Sequence, residues 1–184
     1  MGVPQDWAPY SNLDEAAKVY LRDPELALDQ LRSVIGFPEI KSFVMSRGTS
    51  EGSWGDSDEN PLWQEIVLTD GHRLIIWRAD DETSTVDDRE RRVLNAAVRT
   101  ILLSTITDHV LTTEYEVFDD GTRRLSEVRL RMYTQLITRS RQKSVTETDI
   151  FCESFRYYKS VDNGGLAQMQ RLLQFGRVLS RSMQ

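Results

Sequence analysis

Cysteine is nearly missing from this chain: 184 residues contain one, Cys152. Without a second thiol there is no intramolecular disulfide and no paired-cysteine metal site, and a reducing, cytoplasmic setting is expected. Histidine is almost as scarce. His72 and His109 do not form a pair at helical spacing, so no metal centre is expected. No apolar run approaches the roughly 18 residues that a membrane span needs. Met1-Gly2-Val3-Pro4 shows no basic stretch followed by an apolar one, and Asp6 stands where a myristoylation signal places Ser or Thr. Neither export by that route nor a lipid anchor is expected. No Gly-rich loop ends in Lys-Ser or Lys-Thr, and the segment Gly48 to Gly55 does not lie between a strand and a helix. P-loop and dinucleotide chemistry are thereby set aside, and no cofactor is expected.

The net charge is −6, but it is unevenly spread. Glu51 to Glu90 holds twelve acidic residues against three basic, whereas Gly121 to Gln184 holds twelve basic against five acidic. Spacing of the arginines through strands and a helix, rather than in a run, favours acidic and basic surfaces that lie near each other in the fold.

The strongest pattern runs from Leu111 to Tyr158, where three long stretches of alternating residues follow one another. Asp120-Gly121 is the favoured chemistry for a tight two-residue hairpin loop. Such a loop pairs Val117 with Arg124, Tyr115 with Ser126, Thr113 with Val128 and Leu111 with Leu130. Leu111, Tyr115 and Val117 then share a face with Val128, Leu130 and Met132, while a one-residue slip would set Glu114 and Glu116 among those apolar side chains.

Around this meander the chain reads as an irregular arm over 1–12, a helix capped by Asn12, and a second helix opened by Asp23-Pro24 and closed by Gly36. Pro38 to Met45 suits a short helical turn or an edge strand. A flexible, acidic, Gly/Ser-rich loop is expected over 46–60, and a hairpin pairs Leu62–Thr69 with Arg73–Trp77. Ser84 and Thr85 then cap a central helix whose stripe is Val93, Leu94, Ala97, Val98, Ile101, Leu102, Thr105 and Ile106. After Asp162-Asn163-Gly164-Gly165, a last amphipathic helix carries Leu166, Met169, Leu172, Leu173, Gly176, Leu179 and Met183. Gly176 on its packing side suggests close approach to another backbone. The expected architecture is a single α+β domain over 1–184: a curved antiparallel sheet, made of the hairpin and the meander, packed against the central and C-terminal helices and preceded by short helices.

Chemistry-bearing constellations are sparse. Asp70 and His72 share a turn and form the one weak acid-base candidate, since imidazole titrates nearest neutrality. Cys152 reads as structural. Tyr115, Tyr133, Phe151, Phe155, Tyr157 and Tyr158 are candidates for a ligand or partner surface. The third long strand is apolar on both sides, with Phe151, Phe155 and Tyr157 on one and Ile150, Cys152 and Tyr158 on the other. A strand with one side in water has no need of that, so either each side is covered or one side meets a partner. Arg139, Arg141 and Lys143 are placed in a loop and form a weak phosphate-binding candidate. Arg129 and Arg131, beside Glu127, suit cross-strand charge pairing.

The leading expectation is a non-catalytic cytosolic binding or adaptor protein, acting through an apolar sheet or helix surface on a protein partner or a second copy of itself. A small-molecule protein or enzyme with a pocket between curved sheet and helix stands second. Nucleic-acid binding through the basic C-terminal third stands third and is not the expected role. No membrane partner is expected.

Overall fold

The computed structural model describes residues 5–36, 39–49, 61–86, 89–142 and 145–183, with side chains described for all of these except 86, 90, 136–142 and 145–151. Among the described residues the chain is α+β, with three α-helices and two antiparallel sheets of four and three strands. It divides into two compact units, Met1–Asp70 with Leu74–Thr100, and Gly71–Arg73 with Ile101–Gln184.

In the first unit, α1 (Leu13–Tyr20) begins where the Asn12 side chain accepts hydrogen bonds from the Asp14 and Glu15 N–H groups, as its capping residue should. Helix α2 (Pro24–Ile35) has Pro at its first position, where the missing N–H costs nothing. Asp23 precedes it but makes no side-chain cap. Its carboxylate is engaged elsewhere, accepting from Arg22 Nε at 2.7 Å and from Gln64 Nε2 at 2.8 Å. Buried Ala27, Leu28 and Leu31 form the packing side of α2, while Leu26 and Val34 are exposed.

The sheet of this unit runs β1 (Ser42–Thr49), β2 (Leu62–Thr69), β3 (Arg73–Val86), β4 (Arg89–Leu102), in that order. Of the stretch Pro38 to Met45, residues Ser42 to Met45 therefore belong to an edge strand, while Pro38 lies outside the described residues. The segment expected as a loop from Ser46 instead finishes β1, with Ser46 to Thr49 opposite Leu62 to Glu65; residues 50–60 lie outside the described residues. Register places Phe43, Met45, Ile66, Leu68, Ile75 and Trp77 on one side of the sheet, and all six are essentially buried. Trp7 from the arm reaches this side, 5.8 Å from Phe43 and 6.4 Å from Tyr20 between ring centroids. The Trp77 indole N–H donates to Gln30 Oε1 of α2 at 2.7 Å.

A buried ion pair fastens the junction of the two helices to the sheet. The Arg22 guanidinium donates from both terminal nitrogens to Asp81, each at 2.7 Å, the two-pronged geometry that suits guanidinium and carboxylate. Asp81, with its side chain 1% exposed, also accepts from the Leu62 N–H at 2.9 Å. Gln64 Oε1 accepts from the Arg22 and Asp23 N–H groups. Burial pushes the Asp81 carboxyl up, but Arg22 and the Leu62 N–H outweigh it and hold the group below the usual carboxylate range.

The central helix is absent: Val93 to Leu102 belongs to β4, and the expected caps Ser84 and Thr85 belong to β3. The physical reason lies in an apolar set that fits two periods. Leu94, Ala96 and Val98 are half-buried while Arg91, Val93, Asn95, Ala97 and Arg99 are exposed, which is alternation by two. A β3 extended to Val86 pairs with this segment, and Asn95 Nδ2 donates to Glu82 Oε1 at 3.2 Å.

The second unit carries the meander, β5 (Ile106–Val117), β6 (Arg123–Gln142) and β7 (Val145–Ser160), followed by α3 (Gly165–Ser182). Pairing of Leu111 with Leu130 and Thr113 with Val128 matches the pattern of the sequence. Closer to the turn the register moves by one, to Tyr115 with Leu125 and Val117 with Arg123, because a bulge inserts Ser126. The corner is a three-residue loop: the Gly121 N–H donates to Phe118 O, the Phe118 N–H donates to Thr122 O, and Gly121 takes φ 80°. That positive φ is the bulge position of such loops, which glycine alone fills without strain.

Helix α3 buries Met169, Leu172, Phe175, Gly176 and Leu179, and the sheet of this unit buries Val128, Leu130, Met132 and Tyr157. A Cβ on Gly176 would stand 3.0 Å from Leu111 Cδ1, so the close approach is to a side chain rather than to a backbone. One turn on, Ser180 Oγ donates to Gly176 O at 2.9 Å. The same hydroxyl lies 2.7 Å from His109 Nε2, within hydrogen-bond distance. Among the described residues no helix is long and apolar enough to cross a membrane.

Two outcomes follow from this packing. Asp81→Ala leaves the Arg22 charge and the Leu62 N–H without their acceptor, and chemical denaturation should register a loss of about 3–5 kcal/mol. Because the folded carboxyl titrates below the unfolded one, its contribution is complete above about pH 4 and disappears as pH falls through the folded value; Asp81→Asn should flatten that acid limb. At Gly176, alanine gains about 1 kcal/mol of helix propensity but crowds Leu111. Gly176→Ala should therefore stabilise less in the wild-type background than in Leu111→Ala, a coupling that a double-mutant cycle by urea unfolding reads directly.

Candidate functional site: the open face of the β5–β7 sheet

Alternation along a strand makes the two sides of this sheet opposites. Val128, Leu130, Met132 and Thr134 of β6 are buried, so Glu127, Arg129, Arg131, Tyr133 and Gln135 project from the other side. Register adds their neighbours: Asp108, Val110, Thr112 and Glu114 from β5, and Cys152, Ser154, Arg156, Tyr158 and Ser160 from β7. Among the described side chains of this side none is buried, with Val110 43% and Tyr158 47% exposed.

Two like-charged pairs sit directly opposite each other here, and they are treated differently. Glu114 faces Glu127. Arg129 lies beside both, in contact with Glu127 and 3.8 Å from Glu114, so that repulsion is neutralised within the sheet. Its guanidinium is held further above its ordinary value by hydrogen bonding to Glu127. Arg131 faces Arg156 across the β6–β7 ladder. Neither has an ion-pair or hydrogen-bond partner among the described residues. Directly opposed like charges are destabilising. Tyr133 stands two residues beyond Arg131 on β6, and Tyr158 two residues beyond Arg156 on β7 in the other direction, so a tyrosine borders the pair at each end.

The expected aromatic set divides between the two sides. Tyr157 is buried and Phe155 half-buried on the side of Val128, Leu130 and Met132; Tyr133 and Tyr158 are on the open side. Tyr115 is 49% exposed near the hairpin turn. The Phe151 side chain lies outside those described. Over its described side chains, 152–160, strand β7 is thus two-sided, with Tyr157 and Lys159 buried and Phe155 half-buried on one side and Cys152, Ser154, Arg156 and Tyr158 exposed on the other. Arg139 and Arg141 are not in a loop: they lie in β6, opposite Thr148 and Thr146. Their side chains, and Lys143 altogether, lie outside the described residues. The ladder continues to Gln142 opposite Val145, which converts the expected loop into strand.

Asp70 is buried and His72 exposed, at the turn between β2 and β3. The His72 carbonyl accepts from the Leu103 N–H at 2.9 Å. Cys152 is free and exposed on the open side. Among the described residues no group of three or more His, Cys, Asp or Glu side chains is placed to hold a metal ion. Strand β4 takes the place of the expected central helix, so of the two helices expected against the meander only α3 is present. A small apolar depression does exist in the first unit, lined by Leu13, Leu28, Leu31, Ile35 and Ile40 with Asp14 and Arg32 at its edge, and it contains none of the candidate tyrosines. The Arg32–Asp14 ion pair closes on itself there.

Arg156 and Val110 carry this face and were not apparent as site residues. Arg156 gains meaning only from its partner across the ladder, and that register is set by a second hairpin whose turn bears no Asn-Gly or Asp-Gly signal. Compared with protein-family models, with curated proteins and with solved structures, the chain matches none significantly.

The opposed arginines have a measurable consequence without any ligand. Arg156→Glu turns repulsion with Arg131 into attraction and should stabilise the protein by on the order of a few tenths of a kcal/mol, visible as a higher thermal midpoint that falls back as salt is added. Arg156→Lys should leave the midpoint unchanged.

Proposed function

We propose that this chain is a non-catalytic binding protein that acts on another polypeptide through the open face of the β5–β6–β7 sheet. One observation carries the reading. A strand whose apolar needs are met on one side by burial still presents tyrosine and arginine on the other. Arg and Tyr are the residues that contribute most at protein interfaces, where lysine is depleted; the described open-side positions hold three arginines, two tyrosines and no lysine. The apolar side of α3 is engaged in packing, so the sheet, not the helix, supplies the surface.

Site-specific photo-crosslinking tests this in cells producing the full chain. A benzophenone side chain at Val110 or Tyr158 should give a discrete adduct, identified by mass spectrometry as one polypeptide or as a second copy of the chain. The same group at Gln174, on the exposed side of α3, should give none. Adducts from Gln174 alone, or from no position, overturn the reading.

A further inference from the structure

The pair Arg131–Arg156 defines what the partner must offer. Resting on the binding reading above, we infer that the open face recognises an acidic segment of a partner protein and seats one of its carboxylates between these two guanidinium groups.

Directly opposite residues on neighbouring strands have Cβ atoms about 5 Å apart. Two guanidinium groups on that base can converge on one anion, each donating charge-assisted hydrogen bonds to it. The arrangement is unfavourable when empty and favourable when filled, which distinguishes it from the Glu114–Glu127 pair that Arg129 already serves. Tyr133 and Tyr158 lie roughly 7 Å along the strands from the pair, one at each end of it. Their rings give a partner apolar area that excludes water, and ion pairs strengthen as water leaves.

Charge decides between a protein and a nucleic acid. Asp108, Glu114 and Glu127 project from the same side as the arginines, and the whole chain carries −6. A nucleic acid, with a phosphate fixed at every nucleotide, would meet those carboxylates as well as the arginines. A flexible acidic segment of a polypeptide can seat one carboxylate between the two unpaired arginines and turn its other side chains aside. Exposed aromatic side chains serve base stacking equally well, so the nucleic-acid alternative is an arm of the test.

The full chain is titrated against fluorescein-labelled hexaglutamate, with hexalysine and an oligothymidylate as the other probes, and binding is read by anisotropy. Wild type should bind hexaglutamate, and Arg131→Ala/Arg156→Ala should weaken it on the order of tenfold or more. Arg131→Glu/Arg156→Glu should reverse the preference toward hexalysine. Circular dichroism melts establish that both variants are folded, as expected for exposed positions. Equal binding by wild type and the alanine variant, or none by either, overturns the inference. Tighter binding of oligothymidylate than of hexaglutamate, lost in the same variant, overturns it in favour of nucleic acid. Should the Tyr158 crosslink persist in the alanine variant, the carboxylate seat falls while the binding reading stands.

Discussion

The open face exists because the other face is sealed. Burial of Val128, Leu130 and Met132 in the unit that also buries the apolar side of α3 leaves alternation no freedom: Arg129, Arg131 and Tyr133 must point away from that core. Antiparallel register then passes the constraint to the neighbours. It sets Val110 beside Arg131 on one flank and Arg156 on the other. A one-residue slip would place both arginines in the core, at a desolvation cost that no partner there could offset. The same apolar contacts that hold the meander together thus determine which charges confront each other on its far side.

The two units handle guanidinium charge in opposite ways. Arg22 has carboxylates on both edges, Asp81 and Asp23, and both Asp81 oxygens and Asp23 Oδ2 accept hydrogen bonds within that cluster. It rigidifies the junction of two helices and a sheet, and offers nothing to a ligand. Arg131 and Arg156 have the same side chain and, among the described residues, neither carboxylate nor carbonyl to receive it. An arginine's role is decided by what the fold places within its reach, not by its place in a composition count.

Much of this was legible from residues alone. Asn12 and Asp23-Pro24 mark helix starts, Asp70-Gly71 and Asp120-Gly121 mark hairpin corners, and the alternation around Leu111 and Leu130 gives the correct pairing away from the turn. The Ser126 bulge was invisible because alternation simply resumes beyond it. Val93 to Ile106 misled because valine, isoleucine and alanine at these spacings satisfy a helical stripe and a strand edge alike, and the deciding fact, a long β3 ready to pair, is not local. The candidate face was half legible: its tyrosines stood out by type, whereas Arg156 depends on a register that no turn signal announces. The basic trio near residue 140 was assigned to a loop for the same reason.

Strand β4 ends its sheet with fourteen residues, and among the described residues no further strand pairs with its outer edge, the kind of surface on which chains template one another into growing stacks. Arg89, Arg91, Arg92 and Arg99 punctuate that edge, and a second copy approaching in register would bring cation against cation. Charge of one sign along an edge strand opposes such backbone-to-backbone stacking.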